Sequence, residues 1–327
     1  MASAPGNVLI LGGAGFIGLH LASRLVADGH AVTIVDDLSR GQRDGAVEAL
    51  RERGVALVEA DLTRPDALAA LPRRWDQVFM LAAVVGVRNV ESDPARVIRV
   101  NTLALLHLLD WLPAEGERLF FSSTSEAYAA GVNAGTVPVP TPEGVPLTVP
   151  DPASPRFAYA ASKILGEAAV LHTARARGIH AVVGRFHNIY GPRMGADHVI
   201  PELCVRAARR ERPFRLYGPE QRRAFCHVAD AVEAMVRLMA TDAARGQVVN
   251  VGSDVEETAI ADLCALILRT AGHDAPLEIR PAPAGSVARR CPDLGRLRGL
   301  TGFVPKVALA DGVAETYAWY AREVAGR

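Results

Sequence analysis

Hydrophobic positions in the first 190 residues alternate between two textures. Short, nearly unbroken apolar runs read as buried strands: "NVLIL" at 7–11, "HAVTIVDD" from 30, "VALVEAD" from 55, "QVFMLAA" from 77, "RLFFSS" from 118 and "HAVVGRF" from 180. Between them lie stretches whose apolar residues recur at helical spacing. These are "FIGLHLASRLVADG", ended by Gly29, residues 46–53, a segment starting near Pro65, "NTLALLHLLDWL" and "YAASKILGEAAVLHTARARG". Strands buried on both faces and separated by helices predict an α/β fold with a doubly wound parallel sheet.

Beyond about residue 190 the alternation loosens. The pattern predicts a helix near 200–211, short strands at "FRLYG" and "QVVNVG", helices at 228–240 and 259–271, a strand at "LEIRPA" and a terminal helix over 310–323. A first unit over 1–185 and a smaller C-terminal α/β lobe over 186–327 are expected, with the chain crossing back near 225–252. Residues 131–155, "GVNAGTVPVPTPEGVPLTVPDPASP", carry too many prolines for a helix and predict a long extended loop.

Composition narrows the function classes. The 327 residues are half apolar, and 36 basic residues balance 36 acidic ones, with no basic block interleaved with aromatics, which argues against a nucleic-acid partner. The start, "MASAPGNVLILGGAGFIG", has no basic region before its apolar run, and no run approaches the roughly 20 residues that span a bilayer, so a cytoplasmic protein without a membrane partner is expected. Cys204, Cys226, Cys264 and Cys291 are widely spaced and form no C-x-x-C pair. They read as reduced thiols, with neither a disulfide framework nor a metal site signalled.

Gly12, Gly15 and Gly18 form G-x-x-G-x-x-G between a strand and a helix. Glycines there let backbone N–H groups approach a pyrophosphate at the positive end of the helix. The next strand ends in Asp36 and Asp37, where a carboxylate binds an adenosine ribose and repels a 2′-phosphate. NAD is therefore the expected cofactor, on a Rossmann-type sheet, with Arg40 and Arg43 as the nearby features that would suit NADP. Asp61, at the end of the third strand, is placed to bind the adenine, with a helix N-cap through Asp61 or Thr63 as the equal alternative.

"YAASK" puts Tyr159 and Lys163 one helical turn apart on one face. A nearby ammonium and a cationic nicotinamide favour the phenolate, so Tyr159 is the candidate general base. "SSTSE", Ser122 to Glu126, follows the strand before this helix and ends where such sheets bind ligands.

Together, the glycine turn, "LAA", Asn101 in "RVNT", "SSTSEAY", "YAASK", "RFHNIYGPRM", "RRAFCHVAD" and "RRCPDL" resemble the extended short-chain dehydrogenase/reductase family, and within it the NAD-dependent nucleotide-sugar epimerase, dehydratase and decarboxylase branch. The resemblance implies transient oxidation of a nucleotide sugar at C4: Thr124 binds the hydroxyl, Tyr159 takes its proton and Lys163 holds the nicotinamide ribose. It adds Phe16, Ile17, Leu62, Leu81, Ala82, Ala83, Asn101 and Ser122 as cofactor contacts. Ser125, Glu126, Asn188, Val199, Tyr217, Arg223 and Arg290 are added as contacts of the nucleotide-sugar substrate. It also implies a homodimer through a four-helix bundle built from "NTLALLHLLDWL" and "YAASKILGEAAVLHT", both apolar on more than one face.

The second step turns on Glu126. Dehydratases of the branch carry an Asp–Glu pair here, whereas this chain has Ser125 before Glu126; "TSE" resembles the UDP-glucuronate decarboxylases, and 4-epimerases vary at both positions. From the sequence, C4 epimerisation stands narrowly ahead of decarboxylation and dehydration. Other readings are a non-catalytic NAD-binding regulator and an oxidoreductase that releases reduced cofactor. A purely structural Glu126 would cap a helix or pair with an arginine such as Arg88. Ala129 replaces a usual glycine, the proline-rich loop is long, and His187 stands where an aromatic or apolar residue is common, as a core histidine or an acid.

Overall fold

The computed structural model describes residues 5–113, 116–282 and 285–326. In chain order the strands are β1 (Asn7–Leu11), β2 (Ala31–Asp36), β3 (Ala56–Glu59), β4 (Gln77–Met80), β5 (Arg118–Thr124), β6 (His180–Phe186), β7 (Ile189–Tyr190), β8 (Phe214–Tyr217), β9 (Arg222–Ala224), β10 (Cys226–His227), β11 (Val248–Val251), β12 (Glu257–Ala259), β13 (Leu277–Arg280) and β14 (Arg289–Arg290). The helices are α1 (Phe16–Ala27), α2 (Gly45–Glu52), α3 (Val87–Ser92), α4 (Pro94–Trp111), α5 (Glu126–Asn133), α6 (Ala158–Arg177), α7 (Val199–Ala208), α8 (Val228–Ala240), α9 (Ile260–Thr270), α10 (Gly295–Thr301) and α11 (Leu309–Ala325).

Seven parallel strands form the central sheet in the order β11-β6-β5-β4-β1-β2-β3. Successive side chains of a strand point to opposite faces, and both faces are buried here, which is why the strands are continuous apolar runs. Val8, Ile10, Ile34, Phe79, Phe120 and Val182 pack on one face under α1 and α8. Leu9, Leu11, Val78, Met80, Phe121 and Val183 pack on the other under α4 and α6. β11 returns from the C-terminal half to pair with β6. A third apolar cluster lies among α7, α9 and α11, with Phe214, Leu263, Ile267 and Val313 fully buried. Around it are the parallel pair β8–β13 and the three-stranded β12-β9-β14.

β1 lies between β2 and β4, so the strand order reverses there and a crevice opens at the carboxyl ends. The glycine turn occupies that point.

Two segments differ from the sequence expectations. The segment starting near Pro65 is a chain of turns, with Arg64 N–H donating to Asp61 O, Ala67 to Arg64 O and Ala69 to Asp66 O. Pro65 and Pro72 leave too short a stretch to support the cost of nucleating a helix. The hydroxyl cluster runs directly into α5, which passes through Gly131, so the proline-rich loop starts three residues later than expected. Gly131 is required there because a Cβ would stand 2.4 Å from Val137 Cγ2. The loop itself is stitched to the segment after β14: Thr141 N–H donates to Cys291 O, and Asp293 N–H donates to Thr141 O.

All four cysteines are free and buried. Among the described residues no helix is long and apolar enough to cross a membrane.

Candidate active site

The glycine turn, the ends of β2, β4, β5 and β6, and the loops before α6 and α7 enclose one cleft of about 1510 Å³. Gly12 has φ +84°, and a Cβ on it would stand 2.6 Å from Ala82 N, just after β4. A Cβ on Gly18 would stand 2.2 Å from Gly12 O. The turn is thus pressed against its neighbours, with room only for glycine, and its backbone faces the cleft at the start of α1.

Asp36 lies against this cradle and lines the cleft. Its Oδ2 accepts from Ala14 N–H and its Oδ1 from Leu38 N–H, both at 3.0 Å, and burial raises its pKa against those bonds. Asp37 is turned to its own loop, accepting from Ser39 N–H and Oγ–H. Asp61 accepts from the N–H and Oγ1–H of Thr63, so it closes a local turn while also lining the cleft with Leu62. Phe16, Ile17, Leu81, Ala82, Ala83 and Ser122 line it too. Arg43 is engaged by Glu48 at 2.8 Å, whereas Arg40 lines the cleft. Asn101 is a scaffold instead: its amide accepts from Val84 N–H, donates to Val84 O and to Ser162 Oγ, and does not line the cleft.

At the far end, the Thr124 hydroxyl lies beside the Tyr159 phenol and accepts from Glu126 N–H. Burial raises the Tyr159 phenol above its ordinary value, opposed by Thr124 and the Arg40 charge and reinforced by Glu126. Lys163 Nζ donates to Ser122 O at 2.7 Å and lies 4.9 Å from the Phe121 ring centroid. Burial brings its pKa down to about 7, against the Glu167 carboxylate. Lys163 is not among the charges that act on the Tyr159 phenol, for which burial is the largest influence.

Glu126 opens α5 and faces the cleft. Arg290 Nη2 lies 2.8 Å from its Oε1, and Arg156 Nη2 lies 3.9 Å from its Oε2. Burial would raise this carboxyl, but the charges of Arg290, Arg156 and Arg223 outweigh it and hold Glu126 below the usual range. Arg88, the partner considered from the sequence, instead pairs with Asp197 at 3.1 Å. Arg156 was missed by the sequence reading; the signal was a basic residue three positions before Tyr159, just after a proline-rich loop.

Ser125 is buried at the cleft wall, and its N–H donates to Phe186 O. Asn188 lines the cleft with φ +46°, donating to Ala224 O. Arg223 sits beside Arg290 across the β9–β14 pair and donates to Arg222 O, Ala288 O and Gln221 Oε1; it does not line the cleft. Val199 and half-exposed Tyr217 also lie outside its lining. In sequence these three matched a pattern of motifs, which carries no information on which way a side chain turns.

Behind β5 a buried polar network fixes these positions. Arg185 grips Glu167 through Nε–Oε1 at 2.8 Å and Nη2–Oε2 at 2.6 Å, and Ser123 donates to the same carboxylate. Arg185 also donates to Tyr128 Oη and Glu143 O. Asn250 donates its amide hydrogens to Thr141 O and Asp293 O, so its Oδ1 accepts from Tyr128 Oη and from His187 Nε2. His187 is thus a core histidine in a defined tautomer, and burial lowers its pKa to about 3, which removes it as an acid near neutral pH.

A doubly wound sheet with a glycine cradle, an acidic strand end and a Thr–Tyr–Lys set at one cleft defines a dinucleotide-dependent enzyme. The profile of the NAD dependent epimerase/dehydratase family matches residues 8–252, and the chain belongs to that family. Its cofactor is NAD, which the cradle residues fit. The chain is 30% identical over 326 residues to a UDP-N-acetyl-alpha-D-glucosaminuronate decarboxylase of Bacillus cytotoxicus, covering 97% of this chain and 98% of that one. It is 29% identical to UDP-glucuronic acid decarboxylase 1 of Xenopus tropicalis, over 97% of this chain and 73% of the relative. Among solved structures, UDP-glucose 4-epimerase of Thermotoga maritima superposes with TM-score 0.83 at 29% identity, over 97% of this chain and 99% of that one.

Proposed function

We propose that this chain decarboxylates a nucleotide-linked uronate, most simply a UDP-uronate, in a redox-neutral reaction that begins with oxidation at C4. The observation that carries this reading is the ionised Glu126 held against Arg290 at 2.8 Å within reach of Tyr159 and Thr124. Three guanidinium groups, Arg290, Arg156 and Arg223, act on that one carboxylate. Arg290 and Arg156 line the cleft, and their two positive charges against one carboxylate suit the substrate's diphosphate and its C5 carboxylate, whose oxygens match the fork of a guanidinium.

Tyr159 takes the proton of the C4 hydroxyl, and the neighbouring Thr124 hydroxyl favours the phenolate. Lys163, anchored on Ser122 O, orients the nicotinamide ribose. When bound, NAD supplies the acceptor for the hydride leaving C4 and returns it at the end. The C4 ketone then stands β to the carboxylate, so the C5–C6 bond breaks, CO2 leaves, and the electron pair is delocalised onto the C4 oxygen near Thr124 and Tyr159. C5 takes a proton from solvent water held at the Glu126–Arg290 pair, and Tyr159 returns its proton to the C4 oxygen when the ketone is reduced.

Dehydration fits less well, because Ser125 supplies no acid to the departing hydroxyl. C4 epimerisation, placed narrowly first from the sequence, is kept as the second reading on the likeness to the Thermotoga maritima epimerase. It ranks second here because a simple ketone rotation makes no use of the Glu126–Arg290 pair. The experiment that separates the two is product analysis with purified protein, NAD and a panel of nucleotide sugars and uronates.

We further propose that the working unit is a homodimer formed by α4 and α6. Ile98, Leu106 and Leu165 project into solvent from these two packed helices, Leu165 at 52% exposure.

A further inference from the structure

The "GPRM" segment after β7 contains a side chain that the reaction does not use but the cofactor cleft does. Arg193, with φ +67° and its side chain only 10% exposed, reaches back from the C-terminal half into the first unit. Its Nη1 donates to Ala14 O at 2.6 Å and to Gly15 O at 3.4 Å, inside the glycine turn. Its Nη2 donates to Gln42 O at 2.9 Å, and its Nε to Asp44 Oδ2 at 2.7 Å, in the loop after β2. Beside it, His20 of α1 meets Pro192 O at 3.1 Å.

These acceptors lie on two banks of the cleft. The glycine turn is the bank suited to a pyrophosphate, and residues between Asp36 and Asp44, beside the acidic strand end suited to an adenosine ribose, line the same cleft. A dinucleotide stretched between them leaves when the banks part. We infer that Arg193 is a positioning residue that braces the two banks together and so sets how long NAD is retained.

Two features make this a matter of shape. Asp44 pairs with Arg193, so the local charge is already balanced. The four acceptors also lie around one planar guanidinium, a pattern that a lysine ammonium cannot reproduce. Asp44 has a second duty: its Oδ1 accepts from Ala46 and Val47 N–H and caps α2. Asn at position 44 keeps an acceptor for that cap while removing the charged partner of Arg193.

The test measures release of bound NAD from the holoprotein by chase with unlabelled NAD, and needs no turnover. Arg193→Lys and Arg193→Gln are each expected to release NAD at least about tenfold faster, equivalent to ~1.4 kcal/mol. Asp44→Asn is expected to accelerate release by a smaller factor with α2 still capped, and it carries the test if the Arg193 variants do not fold. Wild-type release from Arg193→Lys would overturn the brace, since charge alone would then suffice. Wild-type release from Arg193→Gln or Asp44→Asn, even with a lowered melting temperature, would overturn it too by reducing the contact to general stability.

Discussion

Glu126 Oε1 and Arg290 Nη2 meet at 2.8 Å, joining the first turn of α5 to the short strand β14 of the other half of the chain. The pair lines the cleft, and Arg156 approaches the same carboxylate from the turn that follows the proline-rich loop. Replacing Glu126 with Gln keeps the shape and removes the charge. With a UDP-uronate, Glu126→Gln is expected to lower kcat by at least about 100-fold, while NAD remains bound at wild-type occupancy by native mass spectrometry. Activity within twofold of wild type would remove Glu126 from the chemistry.

The Thr124 hydroxyl beside Tyr159 predicts a pH effect with a definite sign. A hydroxyl donated to the phenolate favours ionisation, so Thr124 lowers the Tyr159 pKa against the burial that raises it. Thr124→Val therefore shifts the rising limb of the kcat–pH profile to higher pH and lowers the rate below that limb. A profile displaced to lower pH, or unmoved, contradicts the assignment.

Stability rests partly on the pair behind the site. The side chains of Arg185 and Glu167 are 5% and 6% exposed, so removing one partner strands the other in a medium of low dielectric. Arg185→Leu is expected to cost about 3–5 kcal/mol by denaturant unfolding. The double variant Arg185→Leu/Glu167→Leu should recover a substantial part of that loss, because no uncompensated charge is left.

For assembly, Leu165→Glu places a charge in the exposed apolar face of α6 and is expected to convert a dimer into a monomer in sedimentation velocity. A wild-type chain that sediments as a monomer at micromolar concentration contradicts the dimer outright.

The sheet was legible because parallel strands buried on both faces must be nearly continuous apolar runs, as β1 and β4 show, and because glycine is the only residue that fits at Gly12. The placing of Thr124, Tyr159 and Lys163 followed from the end of β5 and a single helical turn of α6. The missed features belong to tertiary context. Arg156 hid just after a proline-rich loop whose path is set by Thr141 and Cys291. The roles of Asn101 as a scaffold and of Arg193 as a brace depend on which carbonyls the fold brings near them. The absence of a helix after Pro65 reflects nucleation cost, which apolar spacing does not register.

The most direct measurement is the mass of the product formed from a UDP-uronate by the purified protein, with NAD and NADH quantified before and after. The account predicts a nucleotide sugar lighter by one CO2, with no net consumption of NAD. An unchanged mass with altered sugar configuration would contradict it in favour of C4 epimerisation, loss of water would contradict it in favour of dehydration, and stoichiometric NADH would contradict the redox-neutral mechanism itself.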